Sequence, residues 1–273
     1  MSQREIDDKN AKFWNELCGS SLARSLGITE ISNGNLRRFD EAYIGLYPYL
    51  PQYVLTEELS DKRVLEIGLG FGTLGQMLAE QGCQYHGLDI AEGPVGMMCY
   101  RLSTLGRQWR GRVQVGSILD APYGDGSFDY VYSIGCLHHT GSLVRSISEV
   151  HRILRPGGKA IIMLYNRNSF RIRVEVPVRK FVSLVSKGGF MRAAGERIRA
   201  LYDTDSGGAA APHTDFVSPR EVRQLFQEFS SVKIDIQNFD GYSFRGKTIL
   251  KRERLLSNMG RIVGLDLYIT ATK

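Results

Sequence analysis

Long apolar runs are missing from this chain of 273 residues. No stretch approaches the roughly 18–20 uninterrupted apolar residues that a membrane span requires. The N-terminus, MSQREIDDKN, is polar where a secretory leader would carry an apolar segment, so a cytoplasmic location is the expectation. Cysteine is scarce: Cys18, Cys83, Cys99 and Cys136 are scattered without a C-x-x-C pair. That spacing excludes a disulfide framework and a zinc site, leaves free thiols in a reducing compartment, and predicts no metal. Low-complexity tracts and internal repeats are also absent, and with 42% hydrophobic and 23% charged residues the composition is that of a globular chain able to bury a large core.

Charge of one sign is unevenly placed. The formal net charge is +6, but residues 166–200 carry nine Lys/Arg against two Asp/Glu, and 245–261 carry six against one. These segments contribute +7 and +5, which leaves −6 for the rest of the chain. A basic excess confined to two segments predicts a local anionic partner. No RNA-binding module accompanies it, so no nucleic-acid partner is expected. A membrane-surface lid with Phe170, Phe181, Phe190 and Met191 facing lipid is a competing reading and predicts peripheral membrane contact.

What is abundant is glycine, 30 residues, concentrated where short apolar runs meet helical stretches. Residues 1–60 read as an N-terminal helical cap. From Arg63 onwards the pattern is that of parallel βαβ units. Strands are expected at Arg63–Ile67, Gln84–Leu88, Val113–Val115, Phe128–Ser133 and Lys159–Leu164. Helices are expected at Thr73–Gln81, Pro94–Leu105 and Gly141–Leu154, the last stopped by Arg155-Pro156-Gly157-Gly158. Right-handed crossovers then dictate a doubly wound α/β sheet over residues 61–165. Residues 166–215 form a basic insertion ending in DTDSGGAAAPHTD, which reads as a flexible loop. Residues 216–273 complete the sheet: Ser218-Pro219 with Glu221 opens a helix to about Phe229, followed by strands Val232–Gln237 and Leu265–Ala271.

The most informative stretch is VLEIGLGFGTLG. It runs a strand into Gly68, Gly70, Gly72 and Gly75, with Asp89 at the end of the next strand. Glycines permit a sharp turn and close approach of a ligand to the backbone, and Asp89 is placed to accept hydrogen bonds from two ribose hydroxyls. A nucleoside-containing cofactor follows. Gly70, Gly72 and Gly75 also satisfy G-x-G-x-x-G, so an NAD-dependent oxidoreductase is an alternative. Against it, Glu66 suits a cationic amino group and is poorly placed beside a pyrophosphate.

On these residues the chain resembles the class I S-adenosylmethionine-dependent methyltransferases of the broad type 11 group. The likeness is strong from Arg63 to Leu164, including SFDYVYSIGCLHHT and LRPGGKAIIMLYN, and looser at the final LDLYITATK. It implies a Rossmann-like seven-stranded sheet with helices on both faces, its last strand antiparallel, and S-adenosyl-L-methionine as cofactor. It places Glu66, Gly68, Leu69, Gly70 and Gly72 at the methionine part, Asp89 at the ribose and Ile90 beside the adenine. The family often has Gly-Asp-Ala before the fourth strand. Here Gly116-Ser117-Ile118 stands there, so Ser117 is expected to hydrogen-bond the adenine without charge and Ile118 to pack on the ring.

The loop from Ser133 and Ile134 to Thr140 should border the sulfonium, because ligands bind at the carboxyl ends of strands in such sheets. His138 and His139 are the candidate bases there, with orientation of the loop as the competing role. His213, near Asp215, is a second candidate on the acceptor side. Arg171 and Arg173 are expected to hold a phosphate or carboxylate, and Tyr43 and Tyr47, with Trp14 and Tyr49, to wall the acceptor. The resulting expectation is a methyltransferase for a small-molecule or biosynthetic intermediate, anionic or lipid-linked. A non-catalytic cofactor-binding or scaffolding protein is the alternative from another class.

Overall fold

The computed structural model describes residues 2–16, 20–55, 58–106, 111–178, 194–244 and 247–273, with side chains throughout except at 194 and 242–250. Cys18, Phe181, Phe190, Met191 and Arg245 lie outside the described residues or side chains. Among the described residues no helix is long and apolar enough to cross a membrane.

Seven strands form one sheet: β1 (Arg63–Ile67), β2 (Gln84–Asp89), β3 (Val113–Val115), β4 (Phe128–Ile134), β5 (Leu154–Tyr165), β6 (Ser231–Gln237) and β9 (Asp266–Thr272). Their order is β3-β2-β1-β4-β5-β9-β6. The first five are mutually parallel, and β9 runs antiparallel between β5 and β6. The order reverses between β1 and β4, which opens a crevice at their carboxyl ends. All seven expected strands are present, most within a residue of the expected bounds. The exception is β5: Arg155-Pro156-Gly157-Gly158 stops the preceding helix at Ile153 and then enters the strand through an irregularity in the β4–β5 register.

Alternation along the strands sorts the core onto two faces. Leu65, Ile67, Val131 and Ile162 join one cluster with Ile147, Val150 and Ile153 of helix Leu143–Ile153. That helix buries positions at spacings of three and four and leaves Val144 70% exposed on its far side. Val64, Tyr132, Ile161 and Tyr268 point the other way, against Leu74, Leu78, Met98, Leu50 and Val54.

The stretch expected as an N-terminal helical cap holds four helices: Gln3–Trp14, Ser21–Ser25, Asn33–Leu46 and Pro51–Val54. Ser2 and Glu5 form a capping box on the first of them. Ser218 and Glu221 form another on helix Pro219–Leu225, with proline at the first helical position. The connection between the last two sheet strands holds a small hairpin, β7 (Tyr242–Phe244) with β8 (Lys247–Leu250), and the short helices Arg252–Ser257 and Gly260–Val263. No sequence pattern announced these elements.

Candidate active site

The crevice at β1 and β4 opens into a cavity of about 550 Å³. Its floor is the glycine turn. Gly68 (φ +81°) and Gly70 (φ +49°) both adopt the left-handed region, for different reasons. A Cβ at Gly68 would overlap the Cys136 side chain, so that glycine serves packing between the β1 and β4 loops. A Cβ at Gly70 would meet nothing within 4 Å, because this residue faces the open cavity.

Two carboxylates flank the turn. Asp89 Oδ2 accepts from the Leu69 amide at 2.7 Å and Oδ1 from the Ala91 amide at 2.9 Å, which ties the turn to the end of β2. Burial pushes this carboxyl up to about 6 against those hydrogen bonds. Glu66 is only 1% exposed and accepts a hydrogen bond from the Tyr85 hydroxyl. Its desolvation is larger, and its carboxyl is pushed up to about 8. A cationic ligand is what such a buried acid lacks.

A cluster outside the sequence expectations holds this floor under the N-terminal helices. Arg101, buried in helix Glu92–Thr104, donates to both Asp40 oxygens at 2.8 Å, to Phe71 O at 2.6 Å and to Gln76 Oε1 at 2.6 Å. Thr73 Oγ1 donates to the same Asp40 at 2.6 Å. One bidentate pair therefore clamps helix Asn33–Leu46 to the turn.

Leu69, Ile90, Ser117, Ile118 and Ile134 all line the cavity. Ser117 Oγ also accepts from Leu119 N at 3.3 Å, capping the single turn Ile118–Asp120. Ser133 does not reach the cavity: it is fully buried and donates to Ile67 O at 3.0 Å, pinning β4 to β1.

The histidine pair is split. His138 is 0% exposed, absent from the cavity wall and tilted against Tyr165 with ring centroids 4.1 Å apart; burial holds its imidazole well below the usual range. It has no access to an acceptor, and the base expected there is corrected to a core residue. His139 lines the cavity. Its Nδ1 lies 2.8 Å from the His213 carbonyl, and a carbonyl oxygen only accepts, so Nδ1 carries the proton and Nε2 keeps its lone pair. Nε2 stands 3.5 Å from Asp203 Oδ2. Burial lowers the imidazole and raises the Asp203 carboxyl, and the charge of each partner opposes that shift in the other.

Four further expectations are corrected. Arg171 pairs with Asp240, donates to Leu201 O at 2.9 Å and covers the Tyr202 ring at 4.4 Å, outside the cavity wall. Arg173 turns to Asn168 Oδ1 at 2.6 Å on the surface. His213 contributes its carbonyl to His139, while its ring faces Asp215 at 3.1 Å. Tyr47 is tilted against Tyr43 with ring centroids 4.9 Å apart, and of these two only Tyr43 reaches the cavity. Asn10 and Asp203 are wall residues that sequence reasoning missed. Asn10 is a polar residue on the helix face that it shares with Ile6, Phe13 and Trp14, and Asp203 lies in the segment read as a flexible loop. The Asp-Thr-Asp run before paired glycines was the available signal of a structured turn.

The wall holds six carboxylates, Asp7, Glu16, Glu66, Asp89, Asp203 and Asp205, and among the described residues no Lys or Arg.

Residues 65–162 match a family model described as a methyltransferase domain. Phosphoethanolamine N-methyltransferase 2 of Caenorhabditis elegans is 33% identical over 108 residues, covering 38% of this chain and 24% of that protein. The ubiquinone biosynthesis O-methyltransferase of Dechloromonas aromatica is 32% identical over 111 residues, covering 40% and 47% respectively. The chain thus spans less than half the length of these curated relatives. Among solved structures, a putative methyltransferase from Haloferax volcanii, in complex with the Trm112 methyltransferase activator, superposes with a TM-score of 0.58 at 16% identity. That superposition covers 88% of this chain and 94% of the other, and it is a likeness of fold.

Proposed function

We propose, from the match of residues 65–162 to a methyltransferase-domain model, that this protein is a class I S-adenosylmethionine-dependent methyltransferase that transfers a methyl group to a small-molecule acceptor. The observation that carries the reading is a single cavity of about 550 Å³ joining two differently built chambers. One is the glycine turn with Glu66 and Asp89. The other is walled by the N-terminal helix, His139 and residues 200–205. The volume lies within the range of about 300–1,000 Å³ usual for small-molecule sites.

The cofactor, when bound, supplies an electrophilic methyl on a sulfonium. The chain's own residues supply the rest. Glu66 is placed for a cationic amino group, Asp89 for ribose hydroxyls, and Ile90 and Ile118 for the faces of an adenine. Gly70 leaves room for a ligand against the backbone. The N-terminal helix supplies one wall of the cavity through Asn10, Phe13 and Trp14, which helps to place an acceptor, and in-line displacement depends mainly on position and orientation. His139 Nε2 is the candidate proton acceptor.

An anionic acceptor is not what this wall suits: phosphate or carboxylate would meet Asp7, Glu16, Asp203 and Asp205 at the acceptor end, and the two arginines expected to hold it lie elsewhere. The same charge argument weighs against a pyrophosphate and hence against NAD. Parallel calorimetric titration with S-adenosylhomocysteine and NADH tests the reading. Binding of the first in the micromolar range without the second is expected; NADH binding alone would replace it with the oxidoreductase.

A further inference from the structure

Resting on the methyl-transfer reading above, we infer that the acceptor is a protonated amine, held between the N-terminal helix and residues 200–205 and relieved of its proton by His139. Two buried side chains in that chamber present lone pairs with no hydrogen-bond partner. Asn10 is 3% exposed; its Nδ2 donates to His139 O at 2.7 Å, which fixes the amide's orientation, and its Oδ1 accepts from nothing. His139 is likewise 3% exposed, with Nδ1 committed to the His213 carbonyl and no hydrogen bond at Nε2. An unpaired buried acceptor is costly, and a ligand that donates through N–H groups relieves both.

Charge selects which donor. Asp7, Glu16, Asp203 and Asp205 line this end of the cavity, where the wall has no Lys or Arg among the described residues; Arg171 and Arg24 act on Asp203 and Glu16 only from outside that wall. A neutral alcohol would satisfy the lone pairs without answering that field, whereas an ammonium does both. Trp14, tilted 4.8 Å from the His139 ring, adds an aromatic face that attracts cations. The chemistry balances. One ammonium proton passes to Nε2 of His139, the freed nitrogen lone pair forms the N–C bond to the methyl, and the C–S bond breaks with its pair left on sulfur. The products are an N-methylammonium, a thioether and a protonated His139 that returns its proton to solvent.

The full chain saturated with S-adenosylhomocysteine is titrated with three probes of similar size, 2-phenylethylamine, 2-phenylethanol and 3-phenylpropanoate. The amine is expected to bind tighter than either other probe by about tenfold or more. Asp203→Asn should remove most of that preference while leaving affinity for S-adenosylhomocysteine unchanged. Equal or tighter binding of the alcohol or carboxylate overturns the inference, as does failure of all three probes while S-adenosylhomocysteine binds. Failure of S-adenosylhomocysteine itself to bind overturns the methyl-transfer reading beneath it.

Discussion

Cofactor binding should expel a proton from Glu66, and the size of that effect follows from the site. Its carboxyl, buried and pushed up to about 8, is protonated in roughly nine of ten ligand-free molecules at pH 7. A cationic amino group within hydrogen-bond reach lowers a carboxyl by about 1–3 units. Taking about 2, the bound form is protonated in only about one molecule in ten. Binding at pH 7 therefore releases about 0.8 proton, falling to roughly 0.5 at pH 8 and about 0.1 at pH 9. The sign is fixed: release of protons means that affinity rises with pH up to about 8 and then levels. Calorimetry with S-adenosylhomocysteine in phosphate and Tris at one pH reads the released protons from the dependence of the enthalpy on buffer ionisation. Glu66→Gln should abolish the buffer dependence. No buffer dependence at pH 7 in the unaltered protein, or an undiminished one in the variant, would refute the assignment of Glu66.

Gly68→Ala should destabilise by about 2 kcal/mol or more, because the new Cβ meets Cys136 in a left-handed backbone. Gly70→Ala should cost less in thermal melting yet weaken cofactor binding, since its Cβ points into open cavity; equal losses of melting temperature would contradict the division of roles. Arg101→Met removes one partner of a buried bidentate pair and should lower stability by about 3 kcal/mol in denaturant unfolding. Arg171→Ala is expected to raise the acceptor KM whatever the acceptor's charge, and Arg173→Ala to change nothing measurable; a loss confined to anionic acceptors would restore direct anion binding by Arg171.

The sheet was legible because its signals are local. Short apolar runs ending in glycine or aspartate marked each parallel strand, and Ser218-Pro219 with Glu221 marked a helix start. The floor of the site was legible for the same reason: Glu66, Gly70 and Asp89 are close in sequence and each has a distinctive chemistry. The acceptor chamber was not. Asn10, His139 and Asp203 lie far apart in the chain, and their meeting depends on Asn10 reaching the His139 carbonyl and on Glu16 accepting from Ser206 N at 3.0 Å. Adjacent His138 and His139 are equivalent by sequence, and only the single turn Leu137–His139 decides that one ring enters the core and the other the cavity.

The basic insertion misled most, since a run of arginines with alternating apolar residues is compatible with both an anion site and a brace. Two of the described arginines, Arg171 and Arg199, are spent on the backbone beside the cavity. Arg171 holds Leu201 O and covers Tyr202, and Arg199 donates to Ala211 O at 2.9 Å. Between them, Ala211 N donates to Asp203 O at 3.2 Å and Ala209 N to Asp205 Oδ1 at 2.7 Å. The loop that these bonds close is the one that presents Asp203 and Asp205 to the cavity. Guanidinium groups suit this task because each offers several donors in a fixed plane to carbonyls that no sheet or helix satisfies. The positive charge of the segment and the negative charge of the chamber are thus two parts of one arrangement: cations outside the wall fix the backbone from which carboxylates face inward. A substrate that enters the chamber meets only the second of these.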